Sequence, residues 1–201
     1  QILFKFTFHN AIKAKLLGNY QEAANLLKEC TIIAPKESAS YYELAHLFEN
    51  SKQKELAEEF AKKSVDLDTE NYWYRIQYAH ALQRNGNNDE AIRQYEKIIE
   101  LNGGTIDLYF DLAGLQLYSG KYKESIATFN LIENQTGITE EIAVQKEKIY
   151  IKMGDIDNAA KEVEALIIAF PNELKYQVLL ADLYLANDLH EKAFAVYQDM
   201  L

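Results

Sequence analysis

Proline is nearly missing from this chain, with two in 201 residues, and glycine is sparse at eight. Both residues punctuate hairpin turns and linkers, so their scarcity leaves little room for either and favours helices. A lone cysteine, Cys30, excludes an internal disulfide. Long apolar runs are missing as well. The longest, Ala165–Phe170, falls far short of the roughly 20 residues that span a bilayer, so direct membrane insertion is not expected. No N-terminal stretch reads as a signal peptide.

Positive charge is also in deficit. Lys and Arg number 21 against 31 Asp and Glu, a net charge of −10. Nucleic-acid affinity comes largely from neutralised phosphates, so no nucleic-acid partner is expected. The sequence holds no Gly-rich phosphate loop, no His-Glu-x-x-His and no Gly-x-Ser-x-Gly. Neither a catalytic centre nor a cofactor is therefore expected, and the chain is read as non-enzymatic. It lacks an initiating Met and reaches Leu201 inside a helical pattern, which gives the expectation of a segment from a longer protein.

What the chain does have is a period. Pro35 and Pro171 stand 136 residues apart, four times 34, and Gly86, Gly120 and Gly154 recur every 34, with Gly18 two periods before Gly86. Windows of 34 starting at Phe4, Ser38, Tyr72, Ile106, Glu140 and Leu174 need no insertion or deletion. Small residues then fill two columns. Column eight holds Ala11, Ala45, Ala79, Ala113 and Ala181, with Glu147 the exception; column twenty holds Ala23, Ala57, Ala91, Ser125, Ala159 and Ala193. A fixed period of this length is the signature of stacked repeats.

The residues within each window resemble the tetratricopeptide repeat (TPR). Tyr109, Leu112, Ala113, Gly120, Tyr122 and Phe129 fit its pattern in the fourth window. So do Tyr41, Leu44, Ala45 and Phe48 in the second, and Tyr78, Ala79, Leu82, Gly86, Ala91 and Tyr95 in the third. The resemblance implies an all-α fold, a right-handed α-α superhelix (solenoid) of six stacked helix-turn-helix units with the last one truncated. It implies one domain over 1–201, with repeats 4–37, 38–71, 72–105, 106–139, 140–173 and a partial 174–201.

The residue chemistry supports paired helices. Tyr41, Leu44, Ala45 and Phe48 recur at i, i+3, i+4 and i+7, one apolar stripe. Asp89 and Glu90 begin a second helix, where negative charge favours the helix dipole. The glycine between the two helices can take the left-handed conformation that ends the first. Alanines in columns eight and twenty let helices approach closely, so a larger residue at Ala79 or Ala91 should overpack the seam by about 1–3 kcal/mol. The fifth window departs, placing Lys146 and Glu147 where other windows hold an apolar residue and Ala. A charge there is costly unless paired. The expectation is a rotated helix packing through Ile142, Ile149, Tyr150 and Met153, with a functional hinge as the alternative.

The resemblance further implies that the first helix of each pair lines an inner face through columns two, five, nine, twelve and thirteen. Those columns, which include Asn50, carry six cations (Lys5, Lys15, Arg84, Lys148, Lys152, Lys175) against four acids (Glu49, Asp107, Glu141, Asp182). The acidity therefore lies mostly elsewhere. The function expected is a protein-protein interaction scaffold binding a peptide or helix in the concave groove. The candidate partner-binding residues are Phe8, Tyr42, His46, Trp73, Ile76, His80, Arg84, Phe110 and Tyr118. Several of these aromatics could instead pack between repeats.

His46 and His80 share a column but lack companion ligands, so no metal site is expected. Cys30 lies on an apolar stripe and reads as a buried structural thiol. Chaperone-tail binding is not expected, because the clamp positions hold Phe8 and Ile12, Tyr42 and His46, or Ile76 and His80. RNA binding of the pentatricopeptide kind is disfavoured by the strict 34-residue period and the acidic balance. The alternative function is an assembly or anchoring segment of a larger envelope protein or enzyme whose activity lies outside it. Phe4, Phe6 and Phe8 at one end, and Ala193, Val196, Tyr197 and Leu201 at the other, leave apolar stripes open to self-association.

Overall fold

The structure, a computed structural model, describes residues 1–51 and 53–200; the Asn50 side chain and Leu201, both named above, lie outside the described residues. Among the described residues there are twelve α-helices and no strand. They form two compact units. The first, Gln1–Thr105, holds α1 (Ile2–Leu16), α2 (Tyr20–Ile33), α3 (Ser38–Asn50), α4 (Lys54–Leu67), α5 (Tyr72–Arg84) and α6 (Asn88–Asn102). The second, Ile106–Leu201, holds α7 (Ile106–Tyr118), α8 (Tyr122–Thr136), α9 (Glu140–Lys152), α10 (Ile156–Ala169), α11 (Lys175–Ala186) and α12 (His190–Asp199).

The helices pair as six hairpins, and α3, α5, α7 and α9 begin on the first residue of their 34-residue windows. Within the first unit α2 packs on α3 and α4 on α5; within the second, α8 packs on α9 and α10 on α11. Helices of 10 to 15 residues are marginal alone, so this stacking supplies most of their stability. No helix among the described residues is long and apolar enough to cross a membrane.

Local chemistry sets the helix ends. Asn71 and Thr139 cap α5 and α9 with side-chain oxygens that accept backbone N–H groups. At the turn inside the third hairpin Gly86 has φ +78°, and the Asn87 N–H donates to the Leu82 carbonyl at 2.9 Å. The last hairpin makes the same turn with Asp188, the one non-glycine residue at positive φ (59°) among the described residues. An L side chain is strained there.

The two small-residue columns form the core seam. Ala11, Ala79, Ala113 and Ala181 are fully buried, as are Ala23, Ala91, Ser125 and Ala159. The Ser125 hydroxyl donates to the Ala113 carbonyl at 2.8 Å, so the two columns face each other across the fourth hairpin. Cys30 is buried beside Ser40, and burial pushes its thiol pKa up.

The fifth repeat corrects part of the sequence reading. α9 packs through Ile142, Ile149, Tyr150 and Met153 as expected, but it is not rotated. Ile142 and Ile149 are buried, but so are Lys146 and Glu147, at 4% and 6% exposure. The helix keeps register because Lys146 finds partners: its Nζ lies 3.0 Å from Glu133 on α8 and 2.8 Å from Glu162 on α10. Burial pulls the ammonium pKa down, and the two carboxylates outweigh it to leave the value raised. Glu147 has no hydrogen bond or ion pair among the described residues, and burial raises its pKa against a weaker opposing pull from Lys148.

Candidate functional site

In the first unit, α3 and α5 bring most of the predicted inner-face residues together. Tyr42, His46 and Glu49 follow one another at spacings of four and three on α3. Ile76, His80 and Arg84 do the same at four and four on α5. Such spacings put each set on one helical face.

Contacts between the helices are specific. The Tyr42 ring lies 4.9 Å from Tyr74 of α5 and meets His46 edge-on at 4.8 Å. Gln77 donates its amide to the Tyr42 carbonyl at 3.2 Å. Glu49 is the hub: its carboxylate pairs with Arg84 and approaches the His46 Nδ1 at 3.5 Å. The His46 hydrogen bond, opposed by burial and reinforced by Arg84 and by His80, holds Glu49 below the usual carboxylate range. His46 thus approaches the acid directly, while His80 acts on it only through its charge. Among the described residues no three His, Cys, Asp or Glu side chains gather as a metal site.

Trp73 stands at the start of α5 with its ring against Tyr72 at 5.0 Å and 66% exposed. Asn71 fixes this end by accepting the Trp73 N–H at 3.1 Å. An indole held by its backbone yet open to water is a ready contact for a partner. The nearby cations are largely committed. Lys15 of α1 pairs with Glu43 at 2.5 Å and Arg84 with Glu49. The face therefore offers rings and hydrogen-bonding groups more than free charge.

The other predicted residues sit differently. Phe8 is half-buried, stacked on Phe4 at 5.6 Å and packed into the core of the first hairpins. In the second unit Phe110 is half-buried, its ring edge-on to Phe129 of α8 at 5.9 Å. Tyr118, at the end of α7, is 82% exposed. Tyr74 and Gln77 were outside the inner columns read from the sequence, and Glu49 was on them without being singled out. One signal existed for Glu49: it and Arg84 occupy adjacent inner columns of consecutive windows with opposite charge.

Models of the tetratricopeptide repeat match residues 38–71, 72–115 and 148–201, which together take in more than half of the chain. The chain belongs to the tetratricopeptide-repeat family. No curated protein matches it in sequence. Among solved structures, that of Naa15/Naa10 bound to HypK-THB superposes with a TM-score of 0.72 at 16% identity, covering 97% of this chain and 31% of that one. MamA gives 0.68 at 18% identity, with 87% and 95% covered. YrrB, described as a TPR protein with an unusual peptide-binding site, gives 0.65 at 13%, with 85% and 88% covered. At these identities the likeness is one of fold.

Proposed function

We propose that this chain is a non-enzymatic scaffold that holds a peptide or helix of another protein against the α3–α5 face. Tyr42, His46, Trp73, Ile76, His80 and Arg84 form the contact surface, and Tyr118 offers a separate exposed ring in the second unit. The observation that carries the reading is Trp73, exposed at 66% at the start of the helix that carries His80 and the paired Arg84. Apolar anchors ringed by satisfied polar groups are what binding hot spots require. The Naa15/Naa10 complex with HypK and the peptide-binding YrrB make protein recognition the natural use of this fold.

The test uses a photo-crosslinking amino acid in place of Trp73, with the same group at Ile168, exposed at 81% on α10, as control. Position 73 should capture one discrete protein that Ile168 does not, and Trp73→Ala should weaken binding of that protein by roughly tenfold or more. Equal capture at both positions, or unchanged binding by the alanine variant, sinks the proposal.

A further inference from the structure

On the opposite side of α5 lies a cleft of about 730 Å³, walled by α4 and α6. Arg75, Tyr78 and Leu82 form its floor. With about 100° of rotation per residue, these three share a helical face that points away from Ile76, His80 and Arg84. This volume falls within the roughly 300–1,000 Å³ typical of ligand sites.

The floor carries an unexplained cation. Arg75 is 8% exposed, yet among the described residues no carboxylate pairs with it. Its guanidinium donates to the Thr69 carbonyl and to the Gln94 side-chain oxygen, the latter at 2.7 Å, while Nε is buried without any partner among the described residues. One acid is held an amide away: Gln94 accepts from Arg75 and donates to Glu90 at 2.6 Å. Burying an arginine with neutral acceptors and an idle donor is unfavourable unless something else compensates it. The sequence position is equally odd. Column four holds rings in neighbouring windows, Tyr41 and Tyr109, and here an arginine stands in their place.

We infer that this cleft is a second binding site, which takes a single carboxylate side chain presented by a protein segment and pairs it with Arg75. Its mouth sets the flanking chemistry. Glu58 and Glu90 line the cleft with carboxylates already engaged, Glu58 by Asn85 and Asn87 and Glu90 by Arg93 and Gln94. Asp66 and Asp89 also line the cleft, so its four acids outnumber the two cations besides Arg75, Lys62 and Arg93. A polyacidic segment is repelled there, and one acid between basic or neutral residues fits.

The experiment follows the Arg75 Nε–Hε signal in arginine-labelled protein, assigned by its loss in Arg75→Gln. Probes are a capped Gly-Lys-Glu-Lys-Gly peptide, its Gln counterpart, a Gly-Glu-Glu-Glu-Gly peptide, and acetate. The first should shift the signal saturably and bind roughly tenfold more tightly than the others, since a charge-assisted bond separates it from the Gln peptide. Arg75→Gln, checked by circular dichroism to be folded, should not distinguish Glu from Gln. A signal that no peptide moves, equal binding of the Glu and Gln peptides, or acetate binding as tightly as the peptide overturns the inference.

Discussion

Lys146 of α9 is clamped from two sides, its Nζ 2.8 Å from Glu162 on α10 and 3.0 Å from Glu133 on α8. Removing one member of a buried ionic cluster strands the rest, which costs about 3–5 kcal/mol. Lys146→Met should lower stability by that order. Adding Glu162→Gln to it should recover part of the loss. Urea denaturation of both variants checks this, and a Lys146→Met protein as stable as the parent would show the cluster to be inert.

Glu147 gives the opposite expectation. The residue is 6% exposed and has no ion-pair partner among the described residues, so Glu147→Ala, which restores the small residue found in the other windows, should stabilise by about 1–3 kcal/mol. The sign with pH follows from the raised pKa. A group raised in the folded state contributes stability below its unfolded pKa and loses it as pH rises through the folded one. The gap between variant and parent should therefore be widest at neutral pH and close on acidification. Thermal melts across about pH 4–8 measure it, and a gap that widens toward acid contradicts the assignment.

Asp188 holds the left-handed turn that Gly86 makes in the third hairpin. Asp188→Gly should remove backbone strain of about 1 kcal/mol, less the extra freedom that glycine gives the unfolded chain. A small rise in melting temperature is expected. The converse substitution, Gly86→Asp, should lower it.

Glu49 sets an acid limit on the α3–α5 face. Its carboxyl is lowered in the folded state, so its stabilising contribution is present above the ordinary glutamate pKa of about 4.3 and disappears as pH falls through the lower folded value. Glu49→Gln should flatten that part of the acid limb in a pH series of melts. It should also release Arg84, so the variant ought to bind acidic peptides more readily than the parent.

The hairpin boundaries and the seam were legible in the sequence because both depend on local spacing. A left-handed turn favours glycine and a close helix approach favours a small residue, each at one position. Ala79 and Ala91 could therefore be placed without coordinates. The fifth window misled for the complementary reason. Lys146 looks unpaired along its own helix, since its partners lie on α8 and α10 and only packing brings them near. The candidate site was legible in angle and not in depth. Column position set the direction of His46 and Arg84, which do meet at Glu49. It left open whether the candidate aromatics face a partner or the protein itself, and Phe8 and Phe110 turn their rings onto Phe4 and Phe129.

The clamp on Lys146 also marks the order of the hairpins. One of its carboxylates comes from the preceding hairpin and the other from its own. A copy of the fifth hairpin moved elsewhere in the array would keep Glu162 and lose Glu133, and deleting the fourth would remove the same partner. Shuffling by recombination, tolerated where neighbours meet through interchangeable alanines, is disfavoured at this junction by half of the clamp.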